Sequence, residues 1–482
     1  MTTTPTTAQA ADWETVVGLE VHCELATATK LFCGCRNVFG EAPNTNVCPV
    51  CLGLPGSLPV LNRQAVELAM RVGLALHAEV RPSIFARKNY FYPDMPKDYQ
   101  VSQYDEPINV AGFLDLPDGS RVGIERAHME EDTGKTTHVG VSGRIHGADH
   151  ALVDYNRAGV PLVEIVSAPD IRSPEQAEAY VNELRAMLAA IGASDARMEE
   201  GSLRVDANVS VRRADRPDAP YGTRTEIKNL NSVRSLRRAV EYEARRQAAL
   251  LEDGGRVVQE TRHWDEDEGH TVSLRTKEEA EDYRYFPEPD LVPVAPSTGW
   301  QEAVRASLPR LPAARRSDLA RRLGVEPSDV ALVVKAELDD LVAKAVDAGI
   351  DPRLALNRAS NELAGRFEPA AVPVAAVIAT LLMEQEGKLT ATQAKQVLAE
   401  VVTDGGDPAE VARALGFEAL AGDALATVVD QVIAAHAAEW DRYRAGEDKL
   451  TGFFVGKIMA TTEGKADGKA VTRLLRARRD GG

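Results

Sequence analysis

Three groups of residues could do chemistry. Four of the five cysteines form two close pairs, Cys33-Gly-Cys35 and Cys48-Pro-Val-Cys51, separated by twelve residues. Two such pairs on a short loop can bring four thiolates to the corners of a tetrahedron, which is the geometry of structural zinc and leaves no position for water. Four unrelated thiols or a redox pair are the competing explanations. Cys23 stands apart, on the apolar side of its segment, as a core thiol. The second group is acidic. Val17 to Leu25 alternates, with Val17, Leu19, Val21 and Leu25 on one side and Glu20, His22 and Glu24 on the other. Leu203 to Val211 does the same, with Arg204, Asp206, Asn208 and Ser210 on its polar side, and His128-Met129-Glu130-Glu131-Asp132 adds a further cluster. Carboxylates with an imidazole suit a hard cation such as Mg2+, although any one cluster could be a solvated acidic surface. The third group interleaves aromatics with charge: Lys88-Asn89-Tyr90-Phe91-Tyr92-Pro93-Asp94, and Asp282 to Asp290. Such segments can stack a base and neutralise phosphate, or simply pack as loops. Gly134-Lys135-Thr136 resembles the end of a phosphate loop, but the glycine required at 129 is Met.

The elements that must position these groups are legible in outline. The chain has 482 residues, enough for two to four domains. Its hydrophobic and charged fractions, 44% and 27%, are ordinary for globular proteins and exclude global disorder. The longest apolar run, Ala370 to Met383, contains Pro373 and is too short to span a bilayer, so no membrane association is expected. The first residues have neither a basic start nor an apolar stretch, which predicts a cytoplasmic protein with reduced thiols. The net charge of −17 (56 basic against 73 acidic residues) opposes indiscriminate nucleic-acid binding. Residues 1–294 read as mixed strand and helix. One helix is well marked by Ser173 as N-cap, Pro174, and Gln176 as a capping-box partner, with Gly192 as its stop. After the prolines at 287, 289, 293 and 296, helical spacing takes over: 295–406 is expected to be a helical domain and 407–482 a small helical tail. From Lys449 onward, eight Lys or Arg face three Asp or Glu, a basic stretch on an acidic chain.

Seven segments, VGLEVHCELAT, FARKNYFYPDMPKDYQVSQYD, HMEEDTGKTTH, DYNRAGVPLVEIVSAPDI, MEEGSLRVDANVSVR, TEIKNLNSVRSL and DYRYFPEPDL, resemble in order the B subunit of tRNA-dependent amidotransferases, the GatB family. The resemblance runs from about Trp13 to the C-terminus. It implies an α+β protein: a cradle-like catalytic domain around an antiparallel sheet, then a helical domain and a YqeY-like tail that meets tRNA. It also implies a heterotrimer with the amidase (A) subunit and the small (C) subunit of the amidotransferase. The implied activity is that of a glutamine-dependent carbon-nitrogen ligase, which uses ATP to phosphorylate the side-chain carboxylate of misacylated Glu-tRNA(Gln) or Asp-tRNA(Asn) and then amidates it. By motif position, Glu20, His22, Glu130, Glu131 and Asp206 become the Mg2+ ligands and Lys88 the phosphate-binding lysine. Lys88, Asn89, Tyr90, Arg204, Asp206 and Ser210 are the expected ATP contacts, and Lys457, Lys465, Lys469, Arg473 and Arg476 the expected tRNA contacts. Members without the cysteines exist, so a zinc site at Cys33, Cys35, Cys48 and Cys51 marks a subtype. Ammonia must come from glutamine hydrolysis, which needs an activated nucleophile. Cys23 and His22, as strand neighbours, point to opposite faces. The glutaminase therefore belongs to a partner chain.

Overall fold

The computed structural model describes residues 13–140, 148–216, 218–276, 283–417, 423–462, 466 and 468–480. It divides into two compact units, 1–314 and 315–482. The first carries fourteen described strands: β1 (Trp13–Glu24), β2 (Glu79–Val80), β3 (Ala86–Asn89), β4 (Tyr99–Ser102), β5 (Asn109–Asp115), β6 (Arg121–Glu131), β7 (Lys135–Gly140), β8 (Ala148–Asp154), β9 (Pro161–Ser167), β10 (Leu203–Arg213), β11 (Thr225–Lys228), β12 (Glu260–Asp265), β13 (His270–Thr276) and β14 (Phe286–Pro287). Twelve of them form one sheet in the order β13-β12-β11-β10-β1-β9-β6-β4-β3-β14, with β5 beside β6 and β2 at its edge. Pairing in this sheet is antiparallel apart from the parallel β11–β12 pair. β7 and β8 make a separate hairpin.

The period-two pattern decides which side of the sheet is covered. Val17, Leu19, Val21 and Cys23 of β1, and Leu203, Val205, Ala207 and Val209 of β10, are buried in one continuous core. Helices α1 (Arg63–Ala75), α2 (Pro174–Ala190) and α3 (Val233–Glu252) contribute their apolar stripes to the same core. α2 begins as its sequence predicts: Ser173 Oγ accepts from the Gln176 N–H and Pro174 opens the first turn. Gln176 Oε1, however, accepts from the Arg172 N–H, one residue earlier than a capping box requires. α1 is tied to the sheet by a buried amide, since Asn109 Nδ2 donates to the carbonyls of Ala69 and Ala127, 3.0 Å from each.

A short helix, α4 (Thr298–Ala306), follows the proline cluster, and its Val304 joins the core of this first unit. Compactness thus carries the unit past 294 to residue 314. The second unit is helical. Its cores fall into a cluster between Leu319 and Val402 and another between Leu425 and Leu475. A smaller cluster around Leu389, Val397 and Ala412 draws on residues from both sides of the boundary expected at 406/407. The apolar run near 370–383 divides into a short turn and the helix Val374–Gln385. Among the described residues no helix is long and apolar enough to cross a membrane.

Gly73 is where α1 approaches Asn109, and a Cβ there would sit 1.9 Å from Asn109 Oδ1. Gly73→Ala is therefore expected to displace the amide that joins α1 to β6, at a cost of about 1–3 kcal/mol. Urea unfolding followed by circular dichroism should show an earlier transition; an unchanged midpoint would mean that the amide can turn aside freely.

Candidate active site

The uncovered face of the sheet gathers charge where β6, β9, β1, β10 and β11 lie side by side. Register does the gathering. His22 stands opposite Glu164 on β9 and Arg204 on β10, and Glu164 stands opposite His128 on β6. Glu20 faces Asp206, and Asn208 faces Glu226 on β11. At the centre, His22 Nε2 lies 3.5 Å from Glu130 Oε1 and 3.9 Å from Glu164 Oε2. His22, Glu130 and Glu164 each offer a ligand atom, all within 4.8 Å of one another. His128 Nε2 supports Glu164 from behind at 3.3 Å. On one flank Asn208 Nδ2 donates to Glu20 Oε1 at 3.0 Å, and Lys228 Nζ lies 2.7 Å from Asp206 and 3.0 Å from Glu226. On the other, Arg204 Nη1 and Arg157 Nε hold the buried Asp132, at 2.8 and 3.4 Å.

Burial and like charge set the protonation of this face. Burial, then repulsion from Glu164, pushes Glu130 up to about 8. Glu20 is raised by burial and by Glu164 and Glu226. Glu24 rises to about 8 through burial and its neighbour Asp132. Burial lowers His22, which keeps its imidazole neutral and able to ligate. Glu164 is the exception: burial would raise it, but the hydrogen bond and charge of His128 bring it down to about 2. A neutral imidazole beside crowded carboxylates is a donor set that fits a hard divalent ion.

Of the expected ligands, Glu20, His22, Glu130 and Asp206 share this face. Glu131 does not join them. As the strand neighbour of Glu130 it projects to the opposite side, where it is buried against Lys97 and accepts from the Val101 N–H at 3.0 Å. Sequence reasoning also missed Glu164, the one acid in an otherwise apolar strand, and the Glu226/Lys228 pair of β11. Lys88 points toward the cluster, lowering Glu130 by its charge, with its ammonium 4.6 Å from the centre of the Tyr283 ring. Of the other expected ATP contacts, Arg204 is paired with Asp132, and Asn89 spends its amide on the carbonyls of Tyr283 and Arg284. Tyr90 stacks on Tyr92 at 5.0 Å, and Ser210 is buried two pleats beyond Asp206, opposite Val16.

The cysteines do converge. Cys33, Cys35, Cys48 and Cys51 present sulfurs within 4.8 Å of one another, and the Cys48 and Cys51 sulfurs are 3.8 Å apart, the edge length of a tetrahedron with metal–sulfur bonds of about 2.3 Å. Cys51 is drawn toward thiolate by a hydrogen bond from Cys33, by the Cys48 N–H and by Lys30, whose buried ammonium is 3.8 Å from its sulfur. This site fits a structural metal. Cys23, pushed up to about 12 by burial, takes no part. In the second unit Lys457, Arg473 and Arg476 are exposed, whereas Arg478 and Arg479 are paired with Asp430 and Asp448. Lys465 lies outside the described residues, as does the side chain of Lys469.

A twelve-stranded, mostly antiparallel sheet with one apolar face under helices and one face of clustered carboxylates and imidazoles, followed along the chain by a helical unit, defines an α+β protein. The chain belongs to the GatB family: residues 15–302 match the GatB/GatE catalytic domain and residues 340–478 the GatB domain. It is 52% identical to the B subunit of the aspartyl/glutamyl-tRNA(Asn/Gln) amidotransferase of Frankia casuarinae, with 96% of this chain and 95% of that one covered. The corresponding B subunits of a Mycobacterium species (51%, covering 97% and 96%) and of Streptomyces coelicolor (49%, covering 96% and 95%) are similar over the same span.

The elevated Glu130 gives the site a testable pH dependence. Below about 8 a cation must displace the Glu130 proton, so apparent affinity for Mn2+ or Mg2+ should rise roughly tenfold per pH unit from 6 to 8 and then level off. Calorimetric titration of the chain at several pH values checks this, and Glu130→Gln should flatten the profile.

Proposed function

We propose that this chain is the carboxylate-activating subunit of a tRNA-dependent amidotransferase, which converts misacylated Glu-tRNA(Gln), Asp-tRNA(Asn) or both into the amidated forms. The observation that carries the proposal is the His22, Glu130 and Glu164 cluster, whose three residues all fall within the segment that matches the family's catalytic domain. A side-chain carboxylate cannot react with ammonia until one of its oxygens becomes a leaving group, and transfer of the γ-phosphoryl group of ATP supplies that. The carboxylate oxygen attacks phosphorus and ADP leaves. Ammonia then adds to the acyl carbon and expels phosphate.

The chain's own residues have distinct parts in this scheme. His22, Glu130 and Glu164, with Glu20 beside them, would hold Mg2+, which when bound neutralises charge on the phosphate oxygens. Lys88 approaches the same place with a fixed positive charge and offsets what develops on the transferred group. The Arg204, Arg157 and Asp132 triad keeps one flank rigid, and Lys228 balances Asp206 and Glu226 on the other. The four-cysteine site would hold one structural Zn2+ and fix the loop that leans on the end of β8 and the β8–β9 connection, where Asn44 Nδ2 donates to Val153 O at 3.0 Å and Asn156 Nδ2 to Ala42 O at 2.7 Å. Ammonia comes from glutamine hydrolysed in the amidase (A) subunit, and the small (C) subunit completes the heterotrimer. Exposed Lys457, Arg473 and Arg476 give the tail an attractive patch for tRNA on an otherwise repelling surface.

The two neighbouring glutamates separate this proposal from a purely structural one. Glu130→Gln should lower tRNA-dependent ATP consumption by about a thousandfold, the equivalent of about 4 kcal/mol, with little effect on folding. Glu131→Gln should instead lower the unfolding temperature, because it leaves Lys97 buried and unbalanced. Equal activity loss from both, or none from Glu130→Gln, would place the phosphoryl-transfer site elsewhere. Metal analysis should find one equivalent of zinc per chain, and replacement of Cys48 by Ser should release it; a chain without zinc and with four freely alkylated thiols would contradict the structural site.

A further inference from the structure

Lys88 and the ring that faces it arrive from two segments joined by only a short ladder. β14 pairs with β3 at Phe286–Arg87 and Pro287–Ala86, and the regular pairing stops there. Beyond that end one residue takes over. The backbone N–H of Asn89 donates to the carbonyl of Tyr283 at 3.0 Å, and its Nδ2 donates to the carbonyls of Tyr283 at 3.1 Å and Arg284 at 2.8 Å. Both hydrogens of the amide are thereby used on backbone. The segment it grips is unusual, since Arg284 has φ +45°, a left-handed conformation that residues with a Cβ adopt rarely.

The rings on either side of Arg284 are both placed at the candidate site. Tyr283 lies under the Lys88 ammonium at 4.6 Å. Tyr285 stacks on Tyr104 with centroids 5.4 Å apart and planes 17° from parallel. Tyr104 in turn sets its edge against His128 at 6.3 Å and lies under the Arg126 guanidinium at 4.9 Å. His128 is the residue that supports Glu164. The turn at Arg284 therefore feeds two contacts of the cluster, one cationic and one aromatic.

We infer that Asn89 is a positioning residue: by gripping the carbonyls of Tyr283 and Arg284 it seats Tyr283 against Lys88, and so aims the lysine at the carboxylate cluster. The residue type matters, because two N–H donors on one short side chain are what two adjacent carbonyls require, and Asp, of the same shape, offers none when ionised. The catalytic consequence rests on the function proposed above, while the clamp itself does not.

The experiment uses the complete amidotransferase complex with Asn89→Asp and Asn89→Ala, read in two independent ways. Lys88 exposure is followed by its acetylation with sulfosuccinimidyl acetate, quantified by peptide mass spectrometry against lysines of the second unit, and it should rise about fivefold as the cation–ring contact opens. The kcat for tRNA-dependent ATP consumption should fall about tenfold or more, with KM for tRNA nearly unchanged, since a misaimed group costs rate and not substrate binding. Glycine adopts a positive φ freely, so adding Arg284→Gly to Asn89→Asp should restore part of both readouts. Lys88 acetylation unchanged in both variants would overturn the clamp. Faster acetylation with unchanged kcat would overturn the positioning role. A parent complex that consumes no ATP in response to misacylated tRNA would count against the proposed function and not against the clamp, which acetylation reads by itself.

Discussion

Like charges held close together on a half-buried surface dominate this structure. Glu20, Glu130 and Glu164 lie on adjacent strands around His22, and burial together with repulsion from Glu164 pushes Glu130 up to about 8. The rest of the first unit is arranged to make that crowding possible. The opposite face of the same strands is apolar and sealed by α1, α2 and α3, so the sheet cannot twist the acids apart without opening its core. Flanking cations, Lys228 on one side and Arg204 with Arg157 on the other, neutralise the acids that do not face the centre. The central group is left short of positive charge.

That deficit gives the site its chemistry. An array of oxygens with one neutral imidazole binds a divalent ion through charge as much as through geometry, and an ion so held retains room for phosphate oxygens. Lys88, backed by the Tyr283 ring, adds a cation that cannot be exchanged. The four-cysteine loop stands on a different footing. Its sulfurs converge among themselves, and its ties to the rest of the unit run through residues 153–156, at the end of β8 and just beyond it, and through Lys30, which donates to Asn46 O and Tyr155 O.

Much of this is legible in the sequence because alternation in a strand is a rigid rule. The apolar halves of β1 and β10 identify themselves, and with them the polar halves that carry Glu20, His22 and Asp206. The cysteine spacing and the N-cap of α2 are equally local signals. What local pattern cannot supply is strand order. Glu164 sits alone in PLVEIVS and gains meaning only when β9 is found between β1 and β6; Glu226 and Lys228 matter only because β11 lies beside β10. The same alternation also corrects the expectation for Glu131: two adjacent acids in one strand cannot serve one ion, and the second turns inward to Lys97. Asn89 is a further case, since its place beside Lys88 suggests ligand contact, yet its donors are consumed by a strained backbone 194 and 195 positions further along the chain.

The central claim is that the crowded carboxylates serve transfer of a phosphoryl group to the substrate's own carboxylate. Isotope transfer tests it most directly. Glu-tRNA(Gln) labelled with 18O in the side-chain carboxylate would be amidated by the complete complex with ATP and glutamine, and the released phosphate analysed by mass spectrometry. Activation through an acyl phosphate predicts one 18O in each phosphate for every amide formed, because the oxygen that attacks phosphorus leaves with it. Phosphate free of label, with amidation proceeding normally, would contradict the account.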